Sequence, residues 1–335
     1  MAEIVLGIGS SHGPQLGLPP EQWVRRATAD RANPELWFRG KTYTFPELVE
    51  ERGGPDRFAA ELSEEKARTR FDACQRAIAH LSETLERAKP DVLVILGDDQ
   101  HEAFEDDNMP AINVYWGDTI DDAPAESEDW GQAYMYTIAP HGNAPSSRLS
   151  HPTDSVLGKY LIETLIGDGF DVAHSKYLPS DRHHGTIGHA FYYVYRRLMN
   201  NEVLLNVPIL LNTYYPPNQV PVKRCYQLGK ALRRAIEDWD SDKRVALIAS
   251  GGLSHFVIEE DLDDQIIDGL RTKNEEKLTS LPDIRFNSGT SEIRNWIAVA
   301  GAMEDADLEM KLVDYAPCYR TEAGTGCAMT FAEWL

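Results

Sequence analysis

Three apolar runs of strand length, each halted by small or polar residues, constrain this chain more than any other feature. They are residues 4–12 (IVLGIGSSH), 91–97 (DVLVILG) and 244–250 (RVALIAS). Each is continuously apolar rather than alternating, as expected of strands buried on both faces. Shorter runs at 113–116, 170–174 and 208–212 read as further strands. Between them lie stretches of helical period. In 62–89, Phe71, Cys74, Ala77, Ile78, Leu81 and Leu85 fall on one face and Pro90 stops the helix. Helices are also expected over 151–169, 189–199, 222–239, 259–277 and 291–303. Strands alternating with helices in this way specify an α/β fold: one large domain spanning 1–335, with a mixed twisted sheet sandwiched between helices. Residues 14–89 and the acidic loop at 118–148 read as lid insertions that cover something, a loop as long as the second being either a functional lid or a disordered segment.

Charge and cysteines narrow the partners. A net charge of −21 over 335 residues repels phosphate, which argues against nucleic acid and against an anionic membrane surface. The four cysteines, Cys74, Cys225, Cys318 and Cys327, lack finger or CxxC spacing, so a structural zinc is not expected and the thiols read as reduced. No apolar run reaches the roughly 18 residues that would span a bilayer, and the N-terminus lacks a basic region followed by an apolar core. The expected location is the cytoplasm.

In open α/β sheets the strand tips build the site, and several histidines lie at tips or in adjoining loops. The first run ends in Ser10-Ser11-His12, the second in Asp98-Asp99-Gln100-His101-Glu102, and the strand at 244–250 in Ser250-Gly251-Gly252-Leu253-Ser254-His255. His183 and His184 occupy a polar loop. Glu259, Glu260 and Asp261 follow His255 closely, although acidic residues are also what a helix N-terminus favours. Two imidazoles and one carboxylate with open positions form the arrangement that binds non-haem Fe(II) and leaves room for substrate and dioxygen. His80, His174 and His189 read as structural or surface residues.

Taken together, Ser10-Ser11-His12-Gly13-Pro14, the strand ending in Asp98-Asp99-Gln100, the His184-Gly185 loop and the motif from Ser250 to His255 resemble the class III extradiol ring-cleavage dioxygenases. The likeness is nearest to the catalytic beta subunit of protocatechuate 4,5-dioxygenase and its gallate-cleaving relatives. It implies Fe(2+) held by His12, by a second histidine and by a glutamate before the helix after the Gly-Gly motif. The second ligand falls on Gln100, with His101 one residue later. Of the two, His101 is the better donor, because an amide oxygen is neutral and weakly donating. The carboxylate falls on Asp261, with Glu260 one residue earlier. The resemblance also implies His184 as the acid/base, His151 as a residue that helps hold substrate or oxygen, and His255 as a group that orients a ligand.

The expected activity is therefore opening of a catechol-type ring, protocatechuate-, gallate- or methylgallate-like, with dioxygen. The alternative is a homologue whose metal site has degraded, acting as a small-molecule binder or a metal-dependent hydrolase. The expected partners are a small aromatic substrate and O2. A homo-oligomer, a dimer, is favoured over an assembly with a small lid subunit. Arg182 and Arg320 are the candidate cations for a substrate carboxylate, and both read as surface residues.

Overall fold

The computed structural model describes residues 1–124, 145–182 and 185–335. In chain order, β1 (Glu3–Ser10) leads through two short 3-10 turns to α1 (Trp23–Ala32). The hairpin of β2 (Leu36–Phe38) and β3 (Lys41–Tyr43) follows, then α2 (Phe45–Glu51) and the long α3 (Glu64–Ala88). Ser63 caps α3, its hydroxyl accepting from the Lys66 amide, and Lys89 ends the helix in the left-handed conformation before Pro90. The apolar stripe of α3 packs on the sheet, with Cys74, Ala77, Ile78, Leu81 and Leu85 buried. This part of the expected 14–89 insertion is thus a layer of the core.

β4 (Val92–Asp98), β5 (Ile112–Tyr115) and β6 (Thr119–Asp122) come next. Then follow β7 (Leu149–Pro152), α4 (Ser155–Gly167), β8 (Ala173–Ser175) and α5 (His189–Tyr193), the last running on into a π-helical turn, Val194–Leu198. The helix expected from residue 151 starts later, because His151 pairs with Ile120 in the β6–β7 ribbon and Asp154 supplies the cap. The rest of the chain comprises β9 (Asn206–Leu211), α6 (Val222–Asp238), β10 (Arg244–Ser250), β11 (His255–Val257), α7 (Glu260–Arg271), α8 (Glu275–Thr279), α9 (Ile293–Met303), β12 (Met310–Tyr319) and β13 (Thr325–Trp334). The helix expected over 259–277 is broken into α7 and α8 at Lys273, which has φ +50°.

Nine strands form the main sheet in the order β11-β13-β1-β10-β4-β9-β5-β8, with β12 on the other side of the β13 pairing. The four central strands, β1, β10, β4 and β9, are parallel. β13 runs antiparallel to β1, β11 and β12, and β5 antiparallel to β9, so the sheet is mixed. One apolar layer, with α6 and α9, covers one face; a second, with α3 and α5, covers the other. The parallel register aligns the carboxyl ends of β1, β4 and β10 along one edge, with Ser10 opposite Ser250. Of the loop expected at 118–148, residues 125–144 lie outside the described residues. Among the described residues no helix is long and apolar enough to cross a membrane.

Candidate metal centre

Four buried side chains meet at that edge: His12 beyond β1, Asp98 at the end of β4, His189 at the start of α5, and Glu292 just before α9. One candidate ligand atom from each lies within 4.8 Å of all the others. His12 Nε2 is 3.3 Å from Glu292 Oε2 and 3.9 Å from Asp98 Oδ1, and His189 Nε2 is 3.8 Å from Asp98 Oδ2.

Hydrogen bonds outside the cluster orient both rings. The Ser250 hydroxyl donates to the Ala190 carbonyl (2.6 Å), so toward His12 it must accept, and Nδ1–H of His12 donates to it (3.0 Å). His12 Nε2, buried, without a hydrogen-bond partner among the described residues and facing two carboxylates, is left as the nitrogen open to a proton or a cation. For His189, Nδ1 lies 3.0 Å from both oxygens of buried Glu102, whose Oε1 also accepts the His189 backbone N–H. Fixing a ligand histidine through its other nitrogen is characteristic of metal sites.

The carboxylates are organised too. Glu292 accepts at Oε2 from the Gly252 amide (2.6 Å), and at Oε1 from Gln100 Nε2 (3.2 Å) and His255 Nε2 (3.1 Å). Gln100 Nε2 also donates to Asp98 Oδ2 (3.0 Å). Burial pushes the Glu292 carboxyl up, but His255 and His12 outweigh burial and hold it well below the usual carboxylate range. Asp98 goes the other way, raised by burial and then by the charge of Glu292. Burial lowers His189, yet Glu102 more than offsets it and raises the ring to about 10. His255 is likewise raised by Glu292 against burial. Its Nδ1–H donates to the Leu253 carbonyl (2.7 Å), which leaves Nε2 as the nitrogen where a proton can come and go.

These donors suit a divalent cation: two imidazole lone pairs and two carboxylates, with one orphaned nitrogen that an ion would satisfy. The surrounding cavity, about 40 Å³, is lined by His12, His189, Gln100, His255, Phe256 and Glu292 at the cluster, and by Gln15, Arg26 and Arg320 opposite. It has room for an ion and a few waters, so an aromatic ring enters only if the lining moves.

The family model for the catalytic LigB subunit of aromatic ring-opening dioxygenase matches residues 58–326. The chain belongs to this family. Its members are metal-dependent ring-opening dioxygenases, in keeping with the donor set. A gallate dioxygenase of Pseudomonas putida is 28% identical over 176 residues, 48% of this chain and 48% of that protein, so the match spans about half of the relative's length. An uncharacterized protein of Escherichia coli K12 shares 13% identity at a TM-score of 0.46, over 77% of this chain and 91% of that one.

Within this LigB-family chain the residues singled out from sequence separate. His12 is in the cluster. Gln100 lines the cavity, but its amide nitrogen, which cannot ligate, faces the two carboxylates. His101 is outside: the backbone turns left-handed there (φ +59°), stacking its ring on Tyr215 at 3.6 Å and putting Nε2 3.4 Å from Asp106. Asp261 is outside as well. It sits on the first turn of α7 with its side chain 82% exposed and paired to Arg39. The neighbouring carboxylate Glu259 pairs with Arg39 and Arg285. The carboxylate of the cluster is Glu292, far along the chain from Asp261.

His255 touches Glu292 directly. His151 does not line the cavity; its Nε2 lies 3.1 Å from Asp122 and its ring packs against Tyr195. His184 lies outside the described residues. Arg182 pairs with Asp107. Arg320, expected on the surface, is buried, bonded through Nε and Nη2 to Asp30 and through Nη1 to Gln15.

Sequence reasoning passed over His189 and Glu292. Each had a signal, standing at the first turn of an expected helix that follows a polar, glycine-containing loop. Asp98 was visible as a polar strand tip.

Proposed function

We propose that this chain is an Fe(II)-dependent extradiol dioxygenase that opens a catechol-type ring with both atoms of O2. The observation that carries the reading is the orphaned Nε2 of His12, facing a buried cluster with a proton-carrying histidine against its carboxylate. His12, His189 and Glu292 would hold the ion. A ferrous ion bound there supplies the redox step between the aromatic diol and dioxygen.

The rest falls to the chain's own side chains. His255, whose Nε2–H donates to Glu292 Oε1 at 3.1 Å, acts first as the acid, gives that proton up during turnover and regains one from the diol. The Leu253 carbonyl keeps Nδ1 protonated, so the exchange is confined to one nitrogen. Burial of the whole cluster excludes bulk water, which would compete for the open positions. Arg26 and Arg320 also line the cavity, Arg320 ion-paired to Asp30. The substrate class favoured is a catechol-type diol such as the gallate named for the Pseudomonas putida relative. We further propose a cytoplasmic homodimer, with the part of 14–89 that precedes α3, and with 118–148, in the place of a separate lid subunit.

The test is anaerobic purification, iron analysis, and oxygen uptake with protocatechuate, gallate, methylated gallates and unsubstituted catechols. Stoichiometric iron and diol-dependent uptake giving ring-opened product are expected. Iron-loaded protein that consumes no oxygen with any diol would refute the proposal.

A further inference from the structure

This inference rests on the reading of the cluster as a metal centre and concerns which atoms make it. We propose that Asp98 is itself a metal ligand, so that the site has two histidines and two carboxylates, and that Gln100 positions both carboxylates without ligating.

The argument starts from the amide of Gln100. Nε2 has two hydrogens, and two carboxylate oxygens stand within reach, Asp98 Oδ2 at 3.0 Å and Glu292 Oε1 at 3.2 Å. Carboxylate oxygens only accept, so the nitrogen rather than the oxygen of the amide must face them. One amide thus bridges two acids from opposite ends of the cluster, one at the tip of β4 and one before α9. Two buried carboxylates this close repel unless a cation or a proton lies between them. The remaining oxygens, Asp98 Oδ1 and Glu292 Oε2, both face His12 Nε2, at 3.9 and 3.3 Å. Glu292 Oε2 accepts from the Gly252 amide and Asp98 Oδ1 from Asn295 Nδ2, which leaves each oxygen a second lone pair, and these converge with the His12 nitrogen that has no partner among the described residues.

His189 completes the set from the other side, its Nε2 3.8 Å from Asp98 and its Nδ1 held by Glu102. Two carboxylates neutralise a divalent ion within a buried site, where net charge is costly. Hard oxygen donors added to imidazole suit Fe²⁺ or Mn²⁺. His101 has no part, because its ring stacks on Tyr215 with Nε2 turned to Asp106, away from the four residues of the cluster.

The probe is Mn²⁺, which is redox-quiet and visible by electron paramagnetic resonance. Affinity is read from the free-ion signal and the nitrogen ligands from electron spin-echo modulation, on full-length protein with each variant's fold checked by circular dichroism and melting. Wild type should show two imidazole nitrogens, His189→Ala one, and His101→Ala two at unchanged affinity. Asp98→Asn should lose at least tenfold in affinity while keeping both nitrogens. Gln100→Leu should lose about tenfold, and Gln100→Asn should recover part of that. Asp98→Asn within twofold of wild type, or loss of a nitrogen in His101→Ala, overturns the inference. Should Asp98→Asn fail to fold, Asp98→Glu takes its place, expected to lose at least tenfold in Mn²⁺ affinity with both nitrogens kept, and affinity within twofold of wild type there likewise overturns the inference. Failure of the dioxygenase reading is separate: it appears as absent oxygen uptake by iron-loaded wild type, whatever Mn²⁺ does.

Discussion

Gly289→Ala isolates the proton-handling histidine from the metal. A Cβ built at Gly289 lies 2.3 Å from His255 Cδ2 and 2.6 Å from the His255 carbonyl oxygen, where ordinary contact starts at 3.4 Å. The backbone at Gly289 suits any residue, so the substitution acts through space rather than strain. His255 is pressed from the other side by Cys327 and the Gly252 loop, so its ring must retreat by roughly 1 Å in an interior packed at crystal density. Misplacement of a reacting group by about 1 Å costs on the order of 100-fold in rate, or about 2.7 kcal/mol in the barrier. Overpacking should cost a further ~1–3 kcal/mol of stability. Because His255 is outside the ligand set yet bonded to Glu292, iron affinity should fall by about tenfold while saturating Fe²⁺ still fills the site. The assay is steady-state oxygen uptake under saturating diol, beside iron analysis and a denaturant titration. Wild-type kcat in a folded, iron-replete Gly289→Ala protein would refute the role given to His255. Loss of iron with the rate even at saturating Fe²⁺ would refute its separation from the metal.

Other outcomes follow from the same geometry. Gly188→Ala sets a Cβ 2.0 Å from Glu102 Oε2; pushing Glu102 off His189 should weaken metal binding by about 10–100-fold, measured by metal titration. Arg320→Met strands buried Asp30 and should cost about 3–5 kcal/mol in denaturant unfolding, with Asp30→Leu in the same chain recovering most of it. Burial raises the Asp263 carboxyl to about 7, despite hydrogen bonds from Ser254 and Tyr315. The folded chain thus holds a proton that the unfolded chain releases near pH 4, and this contribution to stability shrinks as pH rises to 7. Relative to Asp263→Asn, wild type should lose stability between pH 5 and 7.5; a parallel pair of curves would contradict this.

The strands and helices were legible where burial imposes a period. Strands at 92–98 and 244–250 and the long helix before Pro90 stand within a few residues of their expected places. The C-terminal pair β12–β13 was not, because Pro317 and the small residues of TGCAMTFAEW lack a strand's β-branched signature. In the site, His12 was readable because one uninterrupted strand delivers it. The carboxylate was not, because spacing carried it to Asp261, where the acidity belongs to a helix start and its solvated ion pairs. Glu292 reaches the cluster only through the packing of α9 against β10 and β4. His101 failed by one residue: β4 ends at Asp98, and beyond a strand end the alternation that aims side chains no longer holds.

β13 holds two strands end to end along one side, Phe331–Trp334 pairing with the strand that leads to His12 and Thr325–Cys327 with the strand that begins with His255, while β12 runs along its other side. The spacing of the strands that carry His12 and His255 is thus measured along a single strand, so adding or removing a residue within 328–330 should shift one histidine against the other and abolish turnover while most of the sheet stays folded.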